Sequence, residues 1–179
     1  METTFYEPYS RGIFVEPYNP KWVDEFVKIR DYIWPHIDNI AIDIIHVGST
    51  SVPGLAAKPI IDLVIIINSY EMFPQIVEQL KNLGYEHDGD GDVPTRERFI
   101  GGLRDNFMDY HMYVSPKDSG VLKAQIFFRD FLRQNNNART EYAALKQKLA
   151  EKYRQNLDAY TGGKSEFILN ILKTANSVE

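Results

Sequence analysis

The stretch Ile60-Ile61-Asp62-Leu63-Val64-Ile65-Ile66-Ile67, framed by Pro59 and Asn68, decides how the rest of the chain is read. A short run so rich in β-branched side chains predicts a strand inside a sheet, covered on both faces. Alternation puts Ile60, Asp62, Val64 and Ile66 on one face and Ile61, Leu63, Ile65 and Ile67 on the other. An ionised carboxylate in such surroundings is costly unless a cation, a metal or several donors compensate it. Asp62 is therefore the first candidate for chemistry, as a metal ligand and catalytic residue. The plain alternative is a structural acid neutralised by an internal Lys, Arg or backbone donor.

Immediately upstream, residues 42–47 read as a second apolar strand that leaves into Gly48-Ser49-Thr50-Ser51. A glycine and hydroxyl turn of this kind offers N–H groups and hydroxyls to a phosphate, and Asp62 could hold the metal that bridges it. Taken alone, the same turn is equally an ordinary strand exit or helix cap. Lys58, just before the Asp62 strand, suits a phosphate or Asp62 itself, although a lysine beside a proline is commonly solvated. Val64 stands where two-metal enzymes commonly place a second carboxylate, because alternate strand positions aim both groups at one cluster. Another strand supplies the missing ligand, the substrate does, or the two-metal chemistry is absent.

Working outward, Asn19-Pro20 opens a helix whose Trp22, Phe26, Ile29 and Ile33 share one face and which should stop at Trp34, before Pro35. A further helix is expected over residues 71–83, ended by Gly84. A third strand begins at Tyr85 and gives way to the acidic loop Asp88-Gly89-Asp90-Gly91-Asp92, with strands to follow over 95–100 and 107–114. From Asp118 onward the pattern is helical, interrupted at Asn135-Asn136-Asn137. Tyr142, Leu145 and Leu149 mark one later helix, and Phe167, Ile168, Ile171 and Leu172 the last. Strands early and helices late, without repeat or linker, predict one α+β domain over residues 1–179 with a mixed sheet.

Other candidates are weaker. His46 and His111 lie near strand ends, where an imidazole can bind metal or move a proton, or can equally serve as a hydrogen-bonded structural histidine. Arg96, Arg98 and Arg104 form a cationic group suited to phosphate or simply to the surface. Asp88, Asp90 and Asp92 have the opening spacing of a calcium loop, but Val93 replaces its glycine and Phe99 its bidentate Glu. Gly163-Lys164-Ser165 ends like a P-loop, yet Asp158 stands where the first glycine belongs and helical sequence precedes it. A turn opening the last helix is the expected role.

The 179 residues are 44% hydrophobic, 25% charged and 13% aromatic, enough for a substantial core. A net charge of -5 argues against broad attraction to nucleic acid or anionic lipid. The chain has no cysteine, which removes disulfides, thiolate metal sites and cysteine nucleophiles. Neither a signal-peptide pattern nor an apolar run of membrane-spanning length is present, so a cytoplasmic protein is expected.

From His46-Val47-Gly48-Ser49-Thr50-Ser51-Val52-Pro53-Gly54-Leu55-Ala56-Ala57-Lys58-Pro59-Ile60-Ile61 to Asp62, the chain resembles the GrpB family. It is similar again at Pro17-Tyr18-Asn19-Pro20, Phe128-Arg129-Asp130-Phe131-Leu132-Arg133, Glu141-Tyr142-Ala143-Ala144-Leu145-Lys146 and Tyr160-Thr161-Gly162-Gly163-Lys164-Ser165-Glu166-Phe167-Ile168. The resemblance implies the nucleotidyltransferase fold, in which a Gly-Ser turn contacts nucleotide phosphates and the next strand carries metal carboxylates. Gly48, Ser49 and Asp62 match those positions. The implied cofactor is Mg²⁺ or Mn²⁺ and the implied partner a nucleotide or phosphorylated small molecule. Two departures stand out: Val64 lacks the second acid, and a His-Leu-His element common in the family reads His111-Met112-Tyr113 here. Three functions stay open: nucleotidyl transfer to a small molecule or protein, non-catalytic nucleotide binding, or a scaffold in which Asp62 is only structural.

Overall fold

A computed structural model describes residues 12–103 and 105–175. Five strands form one mixed sheet: β1 (Ala41–Val47), β2 (Ile61–Ile67), β3 (Tyr85–His87), β4 (Glu97–Gly101) and β5 (Tyr110–Pro116), in the spatial order β1-β2-β5-β4-β3. The Asp62 strand is interior, as its apolar run demands. It pairs antiparallel with β1, with Val47 opposite Asp62, and parallel with β5, with Asp62 beside His111 and Val64 beside Tyr113. The β2–β5 pair needs a long crossover, supplied by α2 (Phe73–Asn82), β3 and β4.

Period-two alternation sorts the sheet faces as expected. Ile61, Leu63, Ile65 and Ile67 join Ile44, Met112 and Val114 beneath α1 (Lys21–Ile33) and α2, which contribute Trp22, Phe26, Ile29, Ile33, Ile76 and Leu80. Val64 and Ile66 share the opposite face with Val47 and Tyr113, covered by Leu122 and Ile126 of α3 (Gly120–Gln134). Burying a Val, Leu, Ile or Phe side chain gains about 1.5–3 kcal/mol. Either apolar face thus fixes the strand register, since a one-residue slip would invert every side chain.

Several boundaries differ from the expected ones. The first helix ends at Ile33 and tightens into a 3₁₀ turn, Trp34–His36, that accommodates Pro35. Pro20, not Asn19, occupies the cap position, and the Asn19 side chain accepts from the Lys21 N–H at 3.1 Å from one residue further out. β4 starts only at Glu97 because Thr95 has φ of 67°, a left-handed conformation no strand ladder accepts. β5 starts at Tyr110, not residue 107. The later helices are α4 (Asn136–Lys152), α5 (Leu157–Gly162) and α6 (Ser165–Ala175), of which α5 was not anticipated. Among the described residues no helix is long and apolar enough to cross a membrane.

Candidate active site

The Gly48 turn closes directly onto Asp62. Gly48 has φ of 69°, and a Cβ built there would lie 2.3 Å from Asp62 Oδ2, so both the backbone conformation and the close approach require glycine. On the other side, His111 Nδ1 lies 2.9 Å from Asp62 Oδ1. A carboxylate only accepts, so Nδ1 carries the proton in this pair. Asp62 and His111 side chains are 30% and 29% exposed, which makes the pair reachable from solvent.

Behind this opening the turn is held by its own hydroxyls. Thr50 is buried and donates to the Ile60 carbonyl at 3.1 Å, while His46 Nε2 donates to Thr50 Oγ1 at 3.0 Å. Burial holds the His46 imidazole down to about 4, so it is neutral at ordinary pH, and it stacks on Phe26 at 4.8 Å. Ser51 Oγ donates to the Gly48 carbonyl at 2.6 Å. Thr50, Ser51 and His46 thus face inward, whereas the exposed Gly48 and half-buried Ser49 present the turn outward. From α3, Arg133 donates Nε and Nη2 to the Ser51 carbonyl at 3.1 and 2.7 Å, and Arg129 donates Nη1 to the His46 carbonyl at 3.0 Å.

Three lysines from distant parts of the chain converge on the same place. Lys58 Nζ lies 5.5 Å and Lys164 Nζ 4.5 Å from the centre of the Tyr160 ring. Lys146, only 2% exposed, donates to the Ala56 carbonyl at 2.5 Å and lies 4.8 Å from the centre of the Tyr142 ring. The Ser49 hydroxyl lies close enough to the Tyr142 phenol to oppose the upward effect of burial on it, which links this cluster to the turn. Burial is the chief cause that pulls Lys146 down to about 7 and Lys164 to about 8 and lowers Lys58; neighbouring lysines add to it for the first two, and Asp62 opposes it in all three. Among the described residues the charged neighbours that act on Lys146 and Lys164 are Asp62 and other lysines, an excess of cationic side chains that suits an anion.

Gly163 explains how Lys164 arrives there: a Cβ at that position would meet Leu149 Cδ2 at 2.5 Å, so glycine lets the α5–α6 turn press against α4. Sequence reasoning placed none of Lys146, Lys164, Tyr142 and Tyr160 in the site, reading Tyr142 as a helix marker and Lys164 as part of a turn, although all four fall in segments that carry the family resemblance. Of the anticipated cations, Arg96 packs over the Tyr113 ring at 4.8 Å, on the Asp62 face of the sheet. Arg98 is exposed and lies 3.4 Å from Asp88, and Arg104 is outside the described residues.

The donor set is one carboxylate, Asp62, whose orientation is fixed by His111 Nδ1 while Nε2 points away, and it would fit a single Mg²⁺ or Mn²⁺ completed by phosphate and water oxygens. It does not fit two ions. Val64 and Tyr113 occupy the next positions along this face, and among the described residues no three His, Cys, Asp or Glu side chains converge.

Residues 12–174 match the sequence profile of a family described as GrpB protein. The protein YqkA of Bacillus subtilis is 35% identical over 159 residues, which cover 89% of this chain but 46% of YqkA, so the chain spans about half of that relative. The crystal structure of GrpB from Enterococcus faecalis overlays with a TM-score of 0.79 at 30% identity, covering 90% of this chain and 96% of that one. Cid1, solved in complex with the UTP analogue UMPNPP, overlays with a TM-score of 0.53 at 14% identity over 78% of this chain and 42% of its own, a likeness of fold. On the profile match and the Enterococcus overlay, the chain belongs to the GrpB family and has a nucleotidyltransferase-like fold.

Proposed function

We propose that the protein binds the phosphate tail of a nucleotide between the Gly48-Ser49 turn and the Lys58, Lys146 and Lys164 cluster, as a metal-dependent nucleotidyltransferase. The observation that carries this reading is the convergence of the buried Lys146 and the half-buried Lys58 and Lys164 on the carboxylate that the Gly48 turn encloses. Lysine ammonium groups are compact point charges suited to phosphate oxygens. In this reading the Asp62 carboxylate would hold one Mg²⁺ or Mn²⁺ together with phosphate and water oxygens, the Nδ1–H of His111 would fix the orientation of that carboxylate, and the ion would lower the charge on the phosphates. Lys58, Lys146 and Lys164 neutralise the β- and γ-phosphates, and Ser49 orients the tail. An acceptor hydroxyl or amine attacks the α-phosphorus and releases its proton to water, the bond to the β-phosphate oxygen breaks, and pyrophosphate leaves along the lysines.

Val64 favours a second reading, a module that binds a nucleotide or phosphorylated small molecule without turnover. A screen of nucleoside triphosphates with Mg²⁺ or Mn²⁺, following thermal shift and pyrophosphate release together, separates them. Shift with release supports transfer, shift alone supports binding, and neither refutes both.

A further inference from the structure

Beside Asp62, along the same sheet face, a second group of polar side chains is assembled and left unsatisfied. Thr95 is a β-branched residue at φ of 67°, a conformation such residues rarely adopt. It is held there from two sides: Ser115 Oγ donates to the Thr95 carbonyl, and Thr95 Oγ1 lies 2.7 Å from Oγ of Ser119, the cap of α3. Backbone strain that the surroundings enforce this firmly marks a place where a side chain must be aimed. The side chain aimed is that of Arg96, the next residue, whose guanidinium lies 4.8 Å from the centre of the Tyr113 ring.

Among the described residues the buried Arg96 Nε has no hydrogen-bond partner. A buried, unmet donor on a cation costs more than a neutral one and calls for an acceptor. The Oε1 of Gln125 is also buried and unpartnered. Gln125 is one turn beyond Leu122 and adjacent to Ile126, the two α3 residues that pack on Val64 and Tyr113. Helical spacing therefore sets it on the side of α3 turned to this sheet face. Tyr113 is two residues from His111, and their rings are 6.4 Å apart. The orphaned donor and, by its helical spacing, the orphaned acceptor thus lie on the sheet face that carries Asp62 and His111.

We propose that Arg96, Tyr113 and Gln125 form the seat of the second substrate, a small acceptor that carries an oxyanion next to an amino or hydroxyl group. The Nε edge of Arg96 takes the carboxylate or phosphate oxygen, the geometry a guanidinium fork suits best. Gln125 Oε1 accepts from the amino or hydroxyl group and turns it toward Asp62. The acceptor role rests on the proposed transfer reaction, whereas oxyanion binding at Arg96 does not.

The test is an NMR titration of the full chain labelled with ¹⁵N-arginine, reading the Arg96 Nε–H resonance, which is assigned by its loss in Arg96→Gln. The probes are L-serine for the carboxylate source and glycerol 3-phosphate for the phosphate source, each with and without saturating pyrophosphate. The expected result is a saturable shift of that resonance with at least one probe, undiminished by pyrophosphate. Gln125→Leu should weaken the same binding by about tenfold, as losing one hydrogen bond to a buried group implies. A resonance that responds to neither probe overturns the seat, as does a probe-induced shift that pyrophosphate reverses, or calorimetric binding of the same probe to Arg96→Gln at wild-type affinity. Pyrophosphate that fails to bind at all refutes the lysine site and leaves the Arg96 result standing by itself.

Discussion

Gly48 and Asp62 constrain one another more tightly than any other pair in the site. With Asp62 Oδ2 at 2.3 Å from where a Cβ would be, and φ at 69°, Gly48→Ala forces either the carboxylate or the turn to move. The backbone penalty alone is of order 1–3 kcal/mol. Chemical unfolding of Gly48→Ala should show a loss in that range, with the nucleotide-dependent thermal shift abolished; an unchanged shift would mean the turn does not touch the ligand. Asp62 and the turn were legible in the sequence because a lone charge in an aliphatic run and a glycine at a strand exit are both locally anomalous. Lys146 and Lys164 were not legible, since a lysine in an amphipathic helix or at a polar turn reads as solvated. Only burial, to 2% exposure for Lys146, reveals otherwise.

The strands and helices serve mainly to bring three separated segments together and keep the turn rigid. β2 delivers Asp62, β5 delivers His111 in parallel register, and α3 braces the turn from behind through Arg129 and Arg133. Arg133→Met would strip the Ser51 carbonyl of two donors. Urea unfolding is expected to show a cost of about 1–3 kcal/mol. Amide exchange should accelerate over residues 48–52 while that of α6 stays as in wild type; equal acceleration in both would assign Arg133 a merely global role. Element identity followed from periodicity for α1, α2, α3 and β2. The short α5 escaped because Leu157 and Tyr160 are too few to set a helical period, although its cap, Asn156, accepting from Ala159 N–H at 3.0 Å, is a readable signal. Pairing of β2 with β5 was hidden for a different reason: a parallel partner 49 residues away leaves no local trace.

Taken together, an acidic chain of net charge -5 encloses a site of opposite sign, which confines anion attraction to one place instead of spreading it over the surface. That confinement has a pH signature. Lys146, at about 7, and Lys164, at about 8, lie below the unfolded lysine value of 10.5, so between those limits the unfolded chain holds protons the native protein lacks, and native stability rises with pH through that window. A bound polyphosphate favours the charged lysines and reverses the balance. ATP binding should therefore take up protons above pH 8, and its affinity should fall by about tenfold per pH unit for each lysine that is neutral in the free protein. Calorimetry in buffers of different ionisation enthalpy reads that uptake directly, and zero uptake at pH 8.5 would remove the lysines from the binding reaction. The most direct test of the site is a calorimetric titration of ATP into wild type and Asp62→Asn, each with and without Mg²⁺. Wild type is predicted to bind more tightly with Mg²⁺, and Asp62→Asn to bind equally with or without it, at a metal-free affinity no lower than wild type because a negative charge has left the phosphates' surroundings. An Asp62→Asn protein that keeps the full Mg²⁺ enhancement, or a wild type that binds no ATP in either condition, would contradict the account.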